Sequence, residues 1–201
     1  MWSIIQAAGW PIWPLIFASI IALALIFERL WSLRQSMVAP AGMVDNVLAE
    51  YKRAGATTEL VTKTAHQGPL GRVLAAGLAN IKSPRPVVKE AIEEVGGVVS
   101  HELERFLTTL GTIAAMAPLL GLFGTVIGMI EIFGSQTAAG SNPIQLAHGI
   151  SVALYNTAFG LIVAIPSMIF YRHFRAKVDA LIVEMQQQAI KLVELAHGDR
   201  H

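Results

Sequence analysis

The sequence predicts an all-α membrane protein with three transmembrane helices, the second and third extended into a cytoplasmic helical bundle. Three observations carry that prediction. Apolar residues make up 54% of the 201 positions and charged residues only 14%, whereas a soluble domain carries about 25% charged residues. Three stretches, from about Ile4 to Phe27, Leu107 to Phe133 and Gly149 to Tyr171, are charge-free except for Glu131, and each supplies the roughly 20 apolar residues that a bilayer crossing needs. The 15 basic residues are also sorted: ten fall between Arg29 and Arg105, five between Arg172 and Arg200, and none before Glu28 or between the second and third spans. By the positive-inside rule this gives an outer N-terminus, a large cytoplasmic loop, a short outer hairpin and a cytoplasmic tail.

The first element, residues 1–31, is an anchoring span. Pro11 and Pro14 sit near its outer end, where a helix start tolerates proline, and Trp2, Trp10, Trp13 and Trp31 flank it as interfacial aromatics do. No Lys or Arg precedes the apolar run, which argues against a cleavable signal peptide. Residues 32–85 read as short cytoplasmic helices broken by turns. An amphipathic run from Ala41 to Ala54 stops at Gly55, Thr57-Thr58-Glu59 starts another, QGPLG (Gln67 to Gly71) interrupts it, and SPRP (Ser83 to Pro86) breaks the chain and suits a new helix start.

From there residues 86–133 read as one long helix, about 70 Å at 1.5 Å per residue, that includes the second span. A periplasmic hairpin follows over 134–148. Residues 149–201 form the third span and a helical tail in which Val178, Ile182, Met185, Ala189, Leu192 and Ala196 make a heptad-like stripe.

Within the spans the polar and small residues are the candidates for function. Gly121, Gly124 and Gly128 line one stripe of the second span, and Gly149, Ala153, Thr157, Gly160 and Ala164 line one of the third. Small residues of this kind let helix backbones approach closely in lipid. Thr125 and Thr157 lie equally far from the expected outer surface, about 12 Å deep. Two readings of them stand: each hydroxyl bonds back to its own helix, or both face one nearly dry cavity.

Asn156 is a rarer mid-membrane polar group that calls for a partner across helices. Glu131 is the one acid within a span, about a turn from the outer end and roughly 120° around the helix from Thr125. It reads as an interfacial carboxylate or as an outer-mouth acid, with His148 and Tyr155 as possible neighbours.

What the sequence excludes narrows the function. It has no cysteine, which removes disulfides and thiolate metal sites. A net charge of +1 is unlike the clustered basic excess of nucleic-acid binders. No HExxH, P-loop or G-x-S-x-G motif occurs, so no enzyme, metal or cofactor is expected, and any energy handled comes from an ion gradient. Three spans without interrupted half-helices do not suit a secondary transporter.

GLFGTVIGMIEIF (Gly121 to Phe133) followed by GISVALYNTAFGLIVAIP (Gly149 to Pro166) resembles the ExbB/TolQ/MotA family of proton-channel subunits, and the three-span topology is similar to the ExbB and TolQ branch. The resemblance implies a homo-oligomeric ring, a pentamer, in the bacterial inner membrane. Its second and third spans would line a lumen holding the helices of an ExbD- or TolR-like partner that brings a transmembrane aspartate. By the same resemblance Thr125 and Thr157 line the lumen. From the residues themselves, Asn156 reads as structural glue or a lumen polar group, Arg175, on the Thr157 face, as a candidate cytoplasmic exit, and Gly121, Gly124, Gly128 and Gly160 as helix-packing residues. Proton flow would drive a periplasm-spanning protein such as TonB. One departure is Val152, where relatives often carry a glutamate. The alternatives are a TolQ-type subunit for envelope maintenance and a non-conducting scaffold.

Overall fold

A computed structural model describes residues 9–134 and 143–197, and every element among them is a helix. They are α1 (Ile12–Ser32), α2 (Gln35–Val38), α3 (Met43–Ala54), α4 (Thr58–Ala65), α5 (Pro69–Ala79), α6 (Arg85–Glu104), α7 (Leu107–Gly134) and α8 (Pro143–His197). Three of these, α1, α7 and α8 from Gly149 onward, are long and apolar enough to cross a membrane. Most of the expected hairpin at 134–148, Trp2, and the last residues of the tail lie outside the described residues, as do the side chains of His148 and Val152. The chain divides into two compact units, one made of residues up to Glu28 with Phe106–His173, the other of Arg29–Arg105 with Phe174 onward.

The first unit holds the apolar spans. Helix α1 begins at Ile12, later than the apolar run suggests, because Gly9 turns the chain in the left-handed region (φ 73°) just before Pro11. Ile12, Leu15, Ala22 and Ile26 are buried at helical spacing, whereas Trp13, Phe17, Ile20, Leu23 and Phe27 on the other side are exposed, as a lipid-facing surface requires. In α7 the buried residues Leu107, Leu110, Ala114, Ala117, Gly121 and Gly124 recur at alternating intervals of three and four, and in α8 Ala153, Asn156, Gly160, Val163 and Ser167 do the same. Pro166 removes the backbone donor that would meet Ile162 O inside α8; beside it the buried Ser167 hydroxyl donates to Val163 O at 2.7 Å, bonding back to its own helix.

The second unit is a helical bundle. Its core joins Met43 and Val47 of α3, Leu60 of α4, Leu70, Val73, Leu74 and Leu78 of α5, Val88, Ile92 and Val99 of α6, and Leu181, Met185, Ala189, Leu192 and Val193 of α8. The turns fall at the breaker residues. Gly55 ends α3 at φ 73° and Gly68 precedes α5 at φ 101°, conformations that side-chain-bearing residues avoid. Thr57 caps α4 by accepting from Leu60 N at 3.2 Å.

The structure corrects the single helix expected over 86–133: it is two, α6 and α7, separated at Arg105–Phe106. Arg105 N–H donates to Glu102 O, three residues back rather than four, so the last turn tightens and the ladder stops. Arg29, 6% exposed, completes that end, its Nη1 donating to Leu103 O at 3.0 Å. A helix end leaves its last carbonyls without following N–H groups, and a cation there also complements the dipole.

Candidate functional site: a hydroxyl pair on the α7–α8 hairpin

Glycine brings α7 and α8 together. An alanine Cβ built at Gly121 would lie 2.8 Å from Asn156 O and 3.0 Å from Thr157 Cα; at Gly124, 2.8 Å from Asn156 Cβ and Cγ; at Gly128, 3.3 Å from Ala153 Cβ. At Gly160 it would lie 2.5 Å from Ala117 O, and at Gly149 it would run into Ile132. Together these contacts describe one continuous antiparallel seam with hardly room for a methyl group. Gly121, Gly124, Gly128 and Gly160 all pack within this one chain.

The seam fixes where the threonines stand. Gly124 packs on Asn156, and Thr125 and Thr157 are each one residue further along their own helices. Since the helices run in opposite directions, the two threonines lie within about one helical turn, 5.4 Å, of the same height, with Thr157 Cα against Gly121. The same step turns each side chain about 100° away from the contact. In antiparallel helices those rotations have opposite sense when viewed from one end, so both threonines emerge on the same flank. Both are half-buried. Thr125 Oγ1 donates to Leu122 O at 2.6 Å, so its proton is satisfied locally while its oxygen can still accept.

That flank carries little else that is polar. Leu122, Leu154 and Leu161 are exposed on it, and Pro118, Met129 and Met168 are half-buried there. Helix α1 packs mainly on the opposite flank: Leu15 clusters with Ala117 and Val163, joined by Ile113, Leu120 and Phe159, and the Trp10 ring meets Phe123 edge-on at 6.1 Å; Ala164, two turns below Thr157, also joins the cluster. Among the described residues of the first unit, α1 leaves the hydroxyl flank open.

Other candidates fall elsewhere. Glu131 is exposed and, 120° from Thr125, projects toward the flank of Ile113 and Leu120 rather than joining the hydroxyls. Asn156 lies in the seam itself, 1% exposed. Arg175 belongs to the bundle unit and pairs with Glu104 at 3.7 Å. No group of three or more potential metal ligands occurs among the described residues. The structure gives two further residues a part that the sequence pattern does not single out, Arg29 and Ser167. The signal for each was available: a charge ending an apolar helix, and a serine directly after an intrahelical proline.

A hydroxyl both donates and accepts without holding charge. Two of them, level on an otherwise apolar flank, can relay a proton to or from a group brought against them, but neither can store one. Among the described residues the flank carries no titrating group of its own, so proton chemistry on it would need one brought to it.

The description of a MotA/TolQ/ExbB proton channel family matches residues 65–187, more than half the chain. The chain is 33% identical over 169 residues to "Biopolymer transport protein exbB1" of Vibrio cholerae, covering 81% of this chain and 74% of that protein. It is 34% identical over 198 residues to "Putative biopolymer transport protein ExbB-like 3" of Synechocystis, covering 94% and 92%. It is also 36% identical over 102 residues to "Tol-Pal system protein TolQ" of Pseudomonas aeruginosa, covering 50% and 44%.

Proposed function

Because this chain belongs to the MotA/TolQ/ExbB proton channel family and is a multi-pass membrane protein of that kind, we propose that it is the proton-channel subunit of an ExbB–ExbD-type inner-membrane complex. In this reading it uses the proton motive force to energise TonB-dependent outer-membrane transport. The observation that carries the reading is the level pair Thr125 and Thr157 on the flank that α1 leaves open.

Several copies of the chain, five in the expected ring, would turn this flank inward around the helices of an ExbD- or TolR-like partner whose transmembrane aspartate takes up and releases protons. Each proton falling through 100 mV yields about 2.3 kcal/mol, several times thermal energy, which suffices to bias a rotation step. The basic residues of Arg29–Arg105 and Arg172–Arg200 support a periplasmic N-terminus and a cytoplasmic bundle. Asn156 and Arg175 are not assigned to the proton path: the first is in the seam, and the second is paired with Glu104.

The test is proton flux into vesicles holding this chain with its partner. Replacing both Thr125 and Thr157 by Val keeps size and removes both hydroxyls. Flux should stop while the assembled ring survives; undiminished flux refutes the assignment, and flux absent from the parent complex as well would favour the non-conducting scaffold. A TolQ-type role is supported by the relatives of that name, but they match only about half of this chain, whereas the ExbB-named ones match 81% and 94%. Complementation of strains lacking one or the other system separates the two.

A further inference from the structure

A relay between two helices works only while its members stay level, and the seam holds one residue suited to keep them so. We propose that Asn156 is a positioning residue for the hydroxyl pair, and that with Gly124 it forms a lock setting both the sliding and the rotation of α8 against α7. This rests on the assignment of Thr125 and Thr157 to the proton path.

Asn156 engages two glycines one turn apart. Its side chain lies against Gly124, where an added Cβ would meet Asn156 Cβ and Cγ at 2.8 Å and Nδ2 at 3.1 Å. Its backbone oxygen lies against Gly121, where an added Cβ would meet it at 2.8 Å. Sliding α8 by one residue would move it about 1.5 Å and turn it about 100°, bringing the ring of Tyr155 or the branched Thr157 onto a surface shaped for a flat amide. Neither fits without parting the helices.

The amide adds something that shape alone does not. If α8 rolled toward lipid, Asn156 would carry the two N–H donors of its amide into hydrocarbon, which offers no hydrogen bonds. A leucine of similar length would be at ease there. The polar side chain therefore opposes rotation as well as sliding, and the residue next to it, Thr157, keeps its place beside Thr125.

The chain has no cysteine, so the geometry can be read directly. In the assembled complex, Thr125→Cys with Thr157→Cys is bridged by a short bis-thiol reagent and the bridging rate is measured, alongside proton flux in the same backgrounds without the cysteines. Gly124→Ala, which forces a methyl onto the amide, and Asn156→Leu, which keeps bulk but not polarity, should each slow bridging and lower flux about tenfold, since displacements near 1 Å suffice for losses of that order. Gly124→Ala with Asn156→Ser makes room for the methyl and keeps a polar group, so both rates should recover most of the loss.

Where Gly124→Ala does not assemble, Asn156→Leu carries the test alone. Bridging that stays at the parent rate in Asn156→Leu, or a double variant no better than Gly124→Ala, overturns the lock whatever the flux does. Slowed bridging with unchanged flux leaves the lock standing and refutes the threonines' place in the proton path.

Discussion

Gly160→Ala probes the tightest backbone contact in the seam. The new Cβ would lie 2.5 Å from Ala117 O and 3.2 Å from Gly121 Cα, and the nearest of these is backbone that no rotamer change can move. Reaching an ordinary contact of 3.4 Å requires α7 and α8 to part locally by about 0.9 Å. A gap of that size forfeits roughly a quarter to a half of the dispersion attraction of the atoms lining it, and overpacking of this kind typically costs about 1–3 kcal/mol.

The assay is thermal unfolding of the purified complex, followed by helical circular dichroism. The midpoint should fall by about 2–4 °C for each kcal/mol lost. Gly97→Ala is the control, because an added Cβ there meets nothing within 4 Å. In that helix interior alanine should be neutral or stabilise by about 0.5–1 kcal/mol. If Gly160→Ala unfolds with the parent while carrying the same oligomer, the close seam is not what holds these helices, and the positions derived from it fall too.

Two further outcomes follow from residues away from the seam. Arg29→Met keeps the buried stem and removes the donor to Leu103 O; loss of a charge-assisted bond of this kind costs about 1.5–3 kcal/mol, and hydrogen exchange at the amides around Glu102–Phe106 should quicken while α5 stays protected. Exchange unchanged at that junction would show that Arg29 does not hold the helix end. Glu131→Gln, on the flank away from the hydroxyls, should lower proton flux by less than about tenfold, or 1.4 kcal/mol in barrier terms; complete loss would move the acid into the essential path.

The turns of the bundle unit were legible because the residues that make them have few alternative uses. Gly55, the Gly68-Pro69 pair and Pro84 mark boundaries that the helices observe. The division at Arg105–Phe106 was not, since no glycine or proline stands there; it arises from a shortened backbone bond and a distant arginine. Periodicity marks the small-residue stripes, but it cannot say which neighbour of a 3.6-residue repeat points into the contact. The expected third-span stripe included Thr157, whereas Asn156 occupies the seam and Thr157 stands at its edge. That one-residue difference is about 100° of rotation, enough to exchange a packing residue for an accessible one. The partner that would meet the open flank is another chain, and no pattern within this one could describe it.

Helix α1 guards only one side of the hairpin, and this bears on biogenesis. A solitary copy newly inserted into the bilayer would present Thr125 and Thr157 to acyl chains, which offer neither water nor an exchangeable proton. On the proposed role of the two threonines, such an intermediate would be electrically silent. Conduction would then be a property of completed assemblies alone, so surplus subunits awaiting incorporation would not discharge the membrane that powers the cell.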